Sequence, residues 1–467
     1  MTKINIPTEI KTLMQALLDR KFDAYIIGGA IRDSCLGLKP KDWDMFTDTT
    51  GKEILSIFPK GVIIGGKERQ EKILTVIVDK TEVSQYRNNG GRTELGVNFE
   101  KHLATCDFTI NSLASDITGN IVDNHGGLND LHSKILRCVG EPHLRFKEDL
   151  LRILRGIRFI CKYNLKVDPA TKKEMQNQMG RLKELPGERI REELFKILEY
   201  KNAFKVFRDY GLYYIIPPIQ KAFHLEHGDH HDEDVYQHME NSFETSCDIT
   251  DNILLRFAIG FHDIGKPDTK DYTEGKGITF YGHDKVGADL IVEIMNKLKF
   301  SNDEIKYVKF LVYRHMYSLK DGVPNNKSYA KFFFEMEQAG VSIEEFNMLL
   351  YCDNQANEKN EKIKFGDWTK NSVIVKKYYE LKYSRHPFAV KDLAISGKDL
   401  IDKGLEPGPN IGTILNKAFD EVQEGNIKNE RPFLMGWLKT YLNNGYGKMV
   451  KDKEKQNSKT TPEYKVK

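Results

Sequence analysis

The segment Gly28–Phe46 constrains the fold of this chain more than any other stretch of its sequence. The apolar run Ala24–Ile27 before it predicts a buried strand, and the pair Gly28–Gly29 lets the backbone turn sharply and approach a ligand closely. Ala30–Leu36 then predicts a short helix that ends at a following glycine. A glycine turn between a strand and a helix start offers free backbone N–H groups and a positive dipole end, which together suit a phosphate group.

Two carboxylates follow in the next predicted strand. Asp42 and Asp44 are two residues apart, so their side chains would project from the same face of a strand. Adjacent carboxylates repel unless a cation lies between them, and a pair of Mg²⁺ ions on a nucleoside triphosphate is the usual reason to build such a site. Arg32, in the first turn of the preceding helix, could add positive charge to the phosphate seat. Two solvated aspartates on an edge strand are the alternative, but the full combination favours the functional interpretation.

This combination resembles the motif of the DNA polymerase β nucleotidyltransferase superfamily, and the flanking residues resemble its class II tRNA nucleotidyltransferase and poly(A) polymerase branch. The resemblance implies an α+β fold, with a polymerase-β-like head of mixed or antiparallel sheet and helices followed by an all-α neck, body and HD domain. It also implies that Asp42 and Asp44 are catalytic and bind Mg²⁺, and that Gly29 and Arg32 contact the nucleotide.

The stretch Asp107–Leu113 resembles the family motif that helps to select ribose over deoxyribose, so Asp107 is a candidate nucleotide ligand. In the family two arginines precede this aspartate, and the second contacts the triphosphate. Here Thr105 and Cys106 precede it, which weakens the predicted phosphate clamp. Three basic residues are candidate substitutes: Arg87, Arg92 and Lys101.

From Glu141 the pattern becomes helical, and the predicted helix Phe146–Tyr163 carries charged residues beside its apolar face. Asp149 and Arg152 stand three apart, so they would be neighbours on one helix surface. A surface ion pair is one interpretation, but in this position the pair resembles the family's EDxxR motif, which acts as a protein template. A carboxylate and a guanidinium present acceptors and donors that can match the Watson–Crick edge of C or A. Arg155 resembles the family arginine that also contacts the nucleotide.

The next part of the chain is rich in histidine. Of the thirteen histidines in the whole chain, most lie between residues 224 and 315. Four residues on successive predicted helices resemble the metal ligands of the HD phosphohydrolase superfamily: His238, His262, Asp263 and Asp353. Imidazoles with carboxylates suit a divalent transition metal such as Ni²⁺, Co²⁺ or Mn²⁺ better than Mg²⁺. Three further residues could hold a second metal or the substrate phosphate: Lys266, His283 and His315. A structural His-Asp pair is the alternative, and His230 and His231 are predicted to be surface residues.

At 467 residues the chain should contain about two to four domains. The predicted division is a head (1–140), a helical neck with the template (141–225), an HD domain (226–360), a helical C-terminal arm (361–447) and a disordered basic tail (448–467). The net charge of +3 requires local basic patches for any nucleic-acid binding. Six cysteines without a CxxC pair indicate reduced thiols in a cytoplasmic protein, and no apolar run is long enough to span a membrane.

The resemblance implies that the chain transfers CMP and AMP from CTP and ATP to the 3′ end of tRNA with release of pyrophosphate, as a monomer or homodimer. It implies in addition a metal-dependent phosphohydrolase that acts on 2′,3′-cyclic phosphates. Three alternatives stay open: a poly(A) polymerase, an enzyme that adds only A or only CC, and an HD phosphohydrolase whose head binds RNA without catalysis.

Overall fold

The computed structural model describes residues 3–64, 75–88, 94–95, 97–228, 231–317 and 326–443. The chain forms two compact units, of which the first comprises Met1–Phe223 with Ile294–Phe300 and the second His224–Glu293 with Ser301–Lys467. The change of unit after Phe223 lies close to the neck boundary predicted at residue 225. None of the helices in the described ranges has the length and apolar content needed to cross a bilayer.

The first unit is built on a mixed sheet. Its strands are β1 (Tyr25–Ile27), β2 (Met45–Thr47), β3 (Val62–Ile64), β4 (Thr75–Val78), β5 (Thr81–Gln85), β6 (Arg87–Asn88), β7 (Glu94–Leu95), β8 (Leu113–Ser115), β9 (Ile121–Asp123), β10 (Ile135–Leu136) and β11 (Lys166–Val167). Seven of them form one sheet in the order β3-β4-β5-β2-β1-β8-β9. The β2–β5 pairing is parallel and the other pairings within this sheet are antiparallel. The predicted mixed sheet of the head is therefore confirmed.

Helices surround this sheet and continue into the neck. They are α1 (Thr8–Leu18), α2 (Gly29–Cys35), α3 (Gly51–Ile57), α4 (Phe99–Leu103), α5 (Gly127–His132), α6 (Pro142–Glu148), α7 (Leu151–Tyr163), α8 (Pro169–Gln178), α9 (Gly187–Ile197) and α10 (Ala203–Tyr210). The turn from β1 into α2 depends on Gly28, whose φ of 90° is strained for residues with a side chain. Its N–H donates to the Leu113 carbonyl at 2.9 Å, which joins the turn to β8.

Three local predictions about the first unit are wrong. Asp42 and Asp44 precede β2 instead of lying inside it, although the Asp44 carbonyl still accepts a hydrogen bond from Ile27. The predicted single helix Phe146–Tyr163 is two helices, because Asp149 has extended backbone angles between α6 and α7. The segment Asn88–Asn98 is not simply a loop, since β6 pairs with β7 across it. Arg92 lies outside the described residues.

The second unit is largely helical. Its helices are α11 (Val235–Cys247), α12 (Ile253–Gly260), α13 (His283–Lys297, which ends in the first unit), α14 (Asn302–Arg314), α15 (Asn326–Gln338), α16 (Ile343–Ala356), α17 (Phe365–Asn371), α18 (Val373–Tyr383), α19 (Gly397–Ile401), α20 (Pro409–Gln423) and α21 (Arg431–Tyr441). A hairpin of β12 (Asp271–Thr273) and β13 (Gly277–Thr279) interrupts them, so the predicted all-α body needs this correction. The last helices share an apolar core that includes Leu400, Ile414 and Leu434. The predicted tail lies outside the described residues.

Candidate active sites in the two units

The predicted phosphate seat lies at the start of α2, where Gly29 is the first helical residue. Arg32 is buried one turn later, and its guanidinium contacts the rings of Phe159 and Tyr163, 5.0 and 4.9 Å from their centroids. It donates to Asp33 Oδ1 at 2.9 Å and to the side chain of Asn111. Arg32 therefore joins α2 of the head to α7 of the neck. Its predicted contact with phosphate stays a prediction.

Three carboxylates lie close together beside this seat. Asp42 and Asp44 lead into β2, and Glu82 is on the adjacent parallel strand β5, where Val83 is paired with Met45. Burial, together with the charges of Glu82 and Asp42, raises the pKa of Asp44 to about 6. The carboxyl groups thus repel one another, and a hard cation would relieve that repulsion. Carboxylate oxygens are the ligands that Mg²⁺ prefers, so the donor set fits the predicted ion.

Asp107 is at the centre of a hydrogen-bond network between head and neck. Its Oδ1 accepts from the Asn111 side chain and the Phe108 N–H, each at 2.8 Å, and its Oδ2 accepts from Arg155 at 2.7 Å. Burial alone would raise the pKa of Asp107, but the charge of Arg155 and the hydrogen bond from Asn111 outweigh it and hold the pKa below its usual value. Because Asn111 also binds Arg32, the predicted nucleotide residues Arg32, Asp107 and Arg155 are connected.

The predicted template residues have separate partners. Asp149 accepts from Arg189 of α9 at 3.0 Å and from the Leu151 N–H at 3.0 Å. Arg152 is buried and donates to Glu148 at 2.7 Å and to the Thr105 carbonyl at 3.1 Å. The expected neighbouring Asp149–Arg152 pair is thus replaced by two ion pairs, because the chain is extended at Asp149. The partners Glu148 and Arg189 were not predicted as part of the site.

In the second unit the structure brings together all four predicted HD ligands. His238 Nε2 lies 2.9 Å from Asp353 Oδ1, and His262 Nε2 lies 3.4 Å from the same oxygen. Asp263 Oδ2 lies 3.3 Å from His262 Nε2 and 3.7 Å from His238 Nε2. Burial lowers the pKa of His262, but Asp263 and Asp353 outweigh it and raise the pKa to about 10. These carboxylates therefore favour a positive charge between them.

The other oxygen of Asp263 faces a second pair of histidines. Asp263 Oδ1 lies 3.3 Å from His283 Nε2 and 3.4 Å from His315 Nε2, and these two nitrogens are 3.0 Å apart. Lys266 Nζ lies 2.6 Å from Asp263 Oδ2. The buried Nε2 of His262 has no hydrogen-bond partner among the described residues. A buried nitrogen of this kind, surrounded by imidazoles and carboxylates, belongs to a donor set that would suit a divalent transition metal.

A third group of side chains adjoins this centre. His231 Nδ1 lies 2.7 Å from Glu233 Oε1, and its ring stacks on that of His227 with centroids 3.5 Å apart. The prediction that His231 is a surface residue is therefore wrong, and His230 lies outside the described residues. His227 and Glu233 were not predicted at all, and the density of histidine in this segment is a signal that could have indicated His227 but not Glu233.

Among the described residues, the sets of His, Cys, Asp and Glu whose ligand atoms all lie within 4.8 Å of one another belong to the second unit. The carboxylates beside β2 are more widely spaced, as expected for like charges. The two sites thus differ in both donor chemistry and spacing, with oxygen donors in the first unit and imidazoles with carboxylates in the second.

Comparison with known families gives three matches along the chain. The family described as "Poly A polymerase head domain" matches residues 24–137, and "Probable RNA and SrmB- binding site of polymerase A" matches residues 164–223. A third family, for domain 2 of tRNA nucleotidyltransferases, matches residues 285–438. The first two matches lie in the unit that carries the carboxylates and the predicted template.

Whole proteins also align with nearly the full chain. The CCA-adding enzyme of Ligilactobacillus salivarius is 28% identical over 454 residues, which cover 94% of this chain and 98% of the relative. The A-adding tRNA nucleotidyltransferase of Deinococcus radiodurans is 28% identical over 440 residues, covering 89% of this chain and 95% of the relative.

Among solved structures, the CCA-adding enzyme of Bacillus stearothermophilus in complex with CTP matches with a TM-score of 0.65 at 23% identity, covering 93% of this chain and 98% of that chain. This likeness confirms the fold class. The family matches and the relatives that align along nearly the whole chain support the placement of this protein in the class II CCA-adding enzyme and poly(A) polymerase family.

Proposed function

We propose that this protein is a tRNA nucleotidyltransferase that adds CMP and AMP to the tRNA 3′ end from CTP and ATP, with release of pyrophosphate. The observation that carries the proposal is the group of three carboxylates at Asp42, Asp44 and Glu82, beside a glycine turn, in a chain that resembles CCA-adding enzymes along nearly its full length. The names of the relatives support tRNA as the acceptor.

In this proposal Asp42 and Asp44 hold Mg²⁺. When bound there, the ion would lower the pKa of the RNA 3′-hydroxyl and neutralise charge on the triphosphate. The N–H groups near Gly29, with Arg32, orient the phosphates. Asp107 accepts a hydrogen bond from a ribose hydroxyl, while Arg155 keeps its carboxylate ionised and in position.

Base selection is proposed for Asp149 and Arg152. Their present partners, Arg189 and Glu148, belong to the adjoining helices α9 and α6. Accepting C or A requires that Asp149 and Arg152 exchange these ion pairs for hydrogen bonds to a base edge. Because only a few donors and acceptors are presented, addition should stop after a defined number of nucleotides.

The catalytic assignment is tested with Asp44→Ala. This variant should lose nucleotide addition while tRNA affinity stays nearly unchanged, because RNA affinity comes mostly from phosphate contacts elsewhere. Incorporation of labelled CTP and ATP and a filter-binding assay with the same tRNA measure the two properties. Addition by the variant at the wild-type rate would show that the carboxylates have another role.

Within the same family the specificity has alternatives. An A-adding enzyme is among the relatives, so addition of A alone is one, and addition of CC alone or of a long A tail are others. We favour full CCA addition because six relatives that align with 89% or more of this chain are CCA-adding enzymes, against one A-adding enzyme. Incubation with CTP and ATP separately, on tRNA that lacks its last three nucleotides, separates these activities.

A second function is proposed for the second unit, as an HD-type metal phosphohydrolase. The observation that favours it is the convergence of His238, His262, Asp263 and Asp353. A Ni²⁺, Co²⁺ or Mn²⁺ ion at these ligands would lower the pKa of a water molecule that attacks a phosphorus atom. Lys266, and His283 with His315, would hold the substrate phosphate or a second metal.

The proposed substrate of this unit is RNA that ends in a 2′,3′-cyclic phosphate, since opening such an end would free a hydroxyl for nucleotide addition. Asp263→Ala should abolish hydrolysis of 2′,3′-cyclic AMP in the presence of Ni²⁺, Co²⁺ or Mn²⁺ and leave nucleotide addition intact. Loss of both activities would assign the metal centre to the fold or to the transferase. Hydrolysis without addition in the wild-type protein would favour the alternative in which the head only binds RNA.

The remaining proposals concern organisation. The head (1–140), neck (141–225), HD domain (226–360), arm (361–447) and tail (448–467) are proposed as the functional divisions of the two units. A monomer or homodimer in the cytoplasm is consistent with six free cysteines. Size-exclusion chromatography with light scattering measures the oligomeric state.

A further inference from the structure

Three histidines of the second unit have the same hydrogen-bond pattern. The Nδ1 atoms of His262, His283 and His315 lie 2.7, 2.7 and 2.6 Å from backbone carbonyls three residues earlier in the chain. A carbonyl only accepts, so each Nδ1 carries a proton, and each Nε2, which faces Asp263 or Asp353, is the ring nitrogen left for a metal.

These carbonyls are available because the three histidines lie at helix ends. His262 follows the end of α12, His315 follows the end of α14, and His283 begins α13. Carbonyls at the last turn of a helix, or before its first turn, lack the regular helical partner four residues later and can accept from a side chain. The fold thus fixes three of the imidazole orientations with its own backbone.

His238 is different because it lies inside α11, where the backbone carbonyls accept hydrogen bonds from N–H groups of the helix itself. The N–H of His238, for example, donates to the Asp234 carbonyl at 2.9 Å. Its Nδ1 instead donates to the side chain of Glu233, with Oε1 at 3.0 Å. Its Nε2 faces Asp353, as the Nε2 atoms of the other three histidines face Asp263 or Asp353. The Glu233 side chain therefore accepts from Nδ1 of His238, as backbone carbonyls accept from Nδ1 of His262, His283 and His315.

Glu233 is itself held firmly in place. Its Oε2 accepts from the N–H groups of Asp232 and Glu358, each at 3.2 Å, and its Oε1 accepts from His231 at 2.7 Å as well as from His238. The Glu233 side chain is fully buried. Four donors thus surround one carboxylate, which leaves it no freedom to rotate or to act as a donor.

We propose that Glu233 is a positioning residue for the metal centre of the second unit: by accepting from Nδ1 it fixes the tautomer of His238 in which Nε2 is free to bind a metal. This inference rests on the proposed metal centre. A carboxylate behind a metal-bound imidazole fixes the ring and increases its basicity, and loss of such a partner typically weakens metal binding about 10- to 100-fold.

The substitution Glu233→Gln tests the proposal with almost no change of shape. Two backbone N–H groups donate to Oε2, so in glutamine the amide oxygen must take the place of Oε2. The amide nitrogen must then face His238. An amide N–H₂ only donates, so His238 must then accept at Nδ1 and carry its proton on Nε2, where the metal would bind. Glu226→Gln, at an exposed position of the same segment, is the matched control.

Two measurements on the full chain decide the matter. Titration with Ni²⁺ or Co²⁺ should give a dissociation constant about 10- to 100-fold higher for Glu233→Gln than for the wild type and for Glu226→Gln. Long-range ¹H–¹⁵N correlation spectra of histidine-labelled protein, with His238 assigned by its absence in His238→Gln, should show a protonated Nδ1 in the wild type and a protonated Nε2 in Glu233→Gln.

Equal dissociation constants for wild type and Glu233→Gln would overturn the positioning role of Glu233 but not the metal centre. A wild-type protein in which neutral His238 is protonated on Nε2 would overturn it without reference to any variant, even if Glu233→Gln failed to fold. If the wild type binds neither metal, the metal centre itself is wrong, and this inference with it.

Discussion

Asp44 is the residue on which the proposed transferase depends most. Its carboxyl group is half-buried beside Glu82 and Asp42, and its pKa is raised to about 6. A raised pKa means that the ionised form of Asp44 is less stable than usual unless a cation is bound beside it. Protons and Mg²⁺ therefore compete for the same carboxylate.

This competition gives a pH prediction. As the pH falls through about 6, Asp44 gains a proton and nucleotide addition should decline, and a higher Mg²⁺ concentration should move this decline to lower pH. Glu82→Gln removes one of the charges that raise the pKa of Asp44, so its decline should also move to lower pH. Initial rates over a range of pH and Mg²⁺ concentration measure both effects. A decline at low pH whose position does not change with Mg²⁺ concentration would contradict the assignment of Asp44 as a metal ligand.

Cys106 stands at the position where the resemblance implies a phosphate-binding arginine. Burial raises the pKa of its thiol to about 12, so the side chain is neutral at pH 7 and offers no charge to a triphosphate. Cys106→Arg should lower the KM for CTP and ATP by an amount worth about 1–3 kcal/mol, the range for a charge-assisted hydrogen bond. Cys106→Ala is the control and should leave KM unchanged. An unchanged or raised KM in Cys106→Arg would mean that another basic residue already fills this role.

At the residue scale, the sequence predicted which side chains belong to the sites better than it predicted the hydrogen-bond partners of those side chains. His238, His262, Asp263 and Asp353 could be selected because a distinctive set of residue types recurs in a known order. Their neighbour Glu233 could not, because a glutamate between polar residues has no pattern of its own. The partners of Asp149 and Arg152 were also missed, since a local break in the helix determines them.

That break belongs to the element scale. The apolar positions of Phe146–Tyr163 keep a helical period across Asp149, so the sequence pattern predicts one helix where the structure has α6 and α7. Periodicity reports which side chains are buried, whereas the backbone angles at one residue depend on tertiary contacts such as that between Asp149 and Arg189. The strands β6 and β7 were missed because each has only two residues, too few to show an alternating pattern.

The packing of α7 on α9 depends on a buried ion pair that can be tested. Glu193 is 5% exposed and accepts from Arg158 at 2.8 Å. Glu193→Ala should destabilise the first unit by about 2–4 kcal/mol, because Arg158 would lose its partner in a largely buried place. The matched control is Glu184→Ala, whose pair with Arg181 is exposed and should contribute less than about 1 kcal/mol.

Differential scanning calorimetry of the two variants measures this difference. Equal and small shifts of the unfolding transition in both variants would show that the Arg158–Glu193 pair does not hold the neck together. A large shift in Glu193→Ala alone would support a structural role of this pair in the packing of α7 on α9.

At the scale of the whole molecule, the chain separates two chemistries. The carboxylates and the predicted template lie in the first unit, and the histidine-rich centre lies in the second. The sequence predicted a change near residue 225 because composition changes there. It did not predict that Ile294–Phe300 belongs to the first unit, since that depends on contacts between distant parts of the chain, such as that of Phe195 with Phe300.

The most direct test of the central claim is the length of the product on tRNA that lacks its last three nucleotides. With CTP and ATP together, high-resolution mass spectrometry of the tRNA should show addition of two CMP and one AMP and then a stop. CTP alone should give a defined short addition of C. Long A tails from ATP alone, or no addition under any condition, would contradict the account.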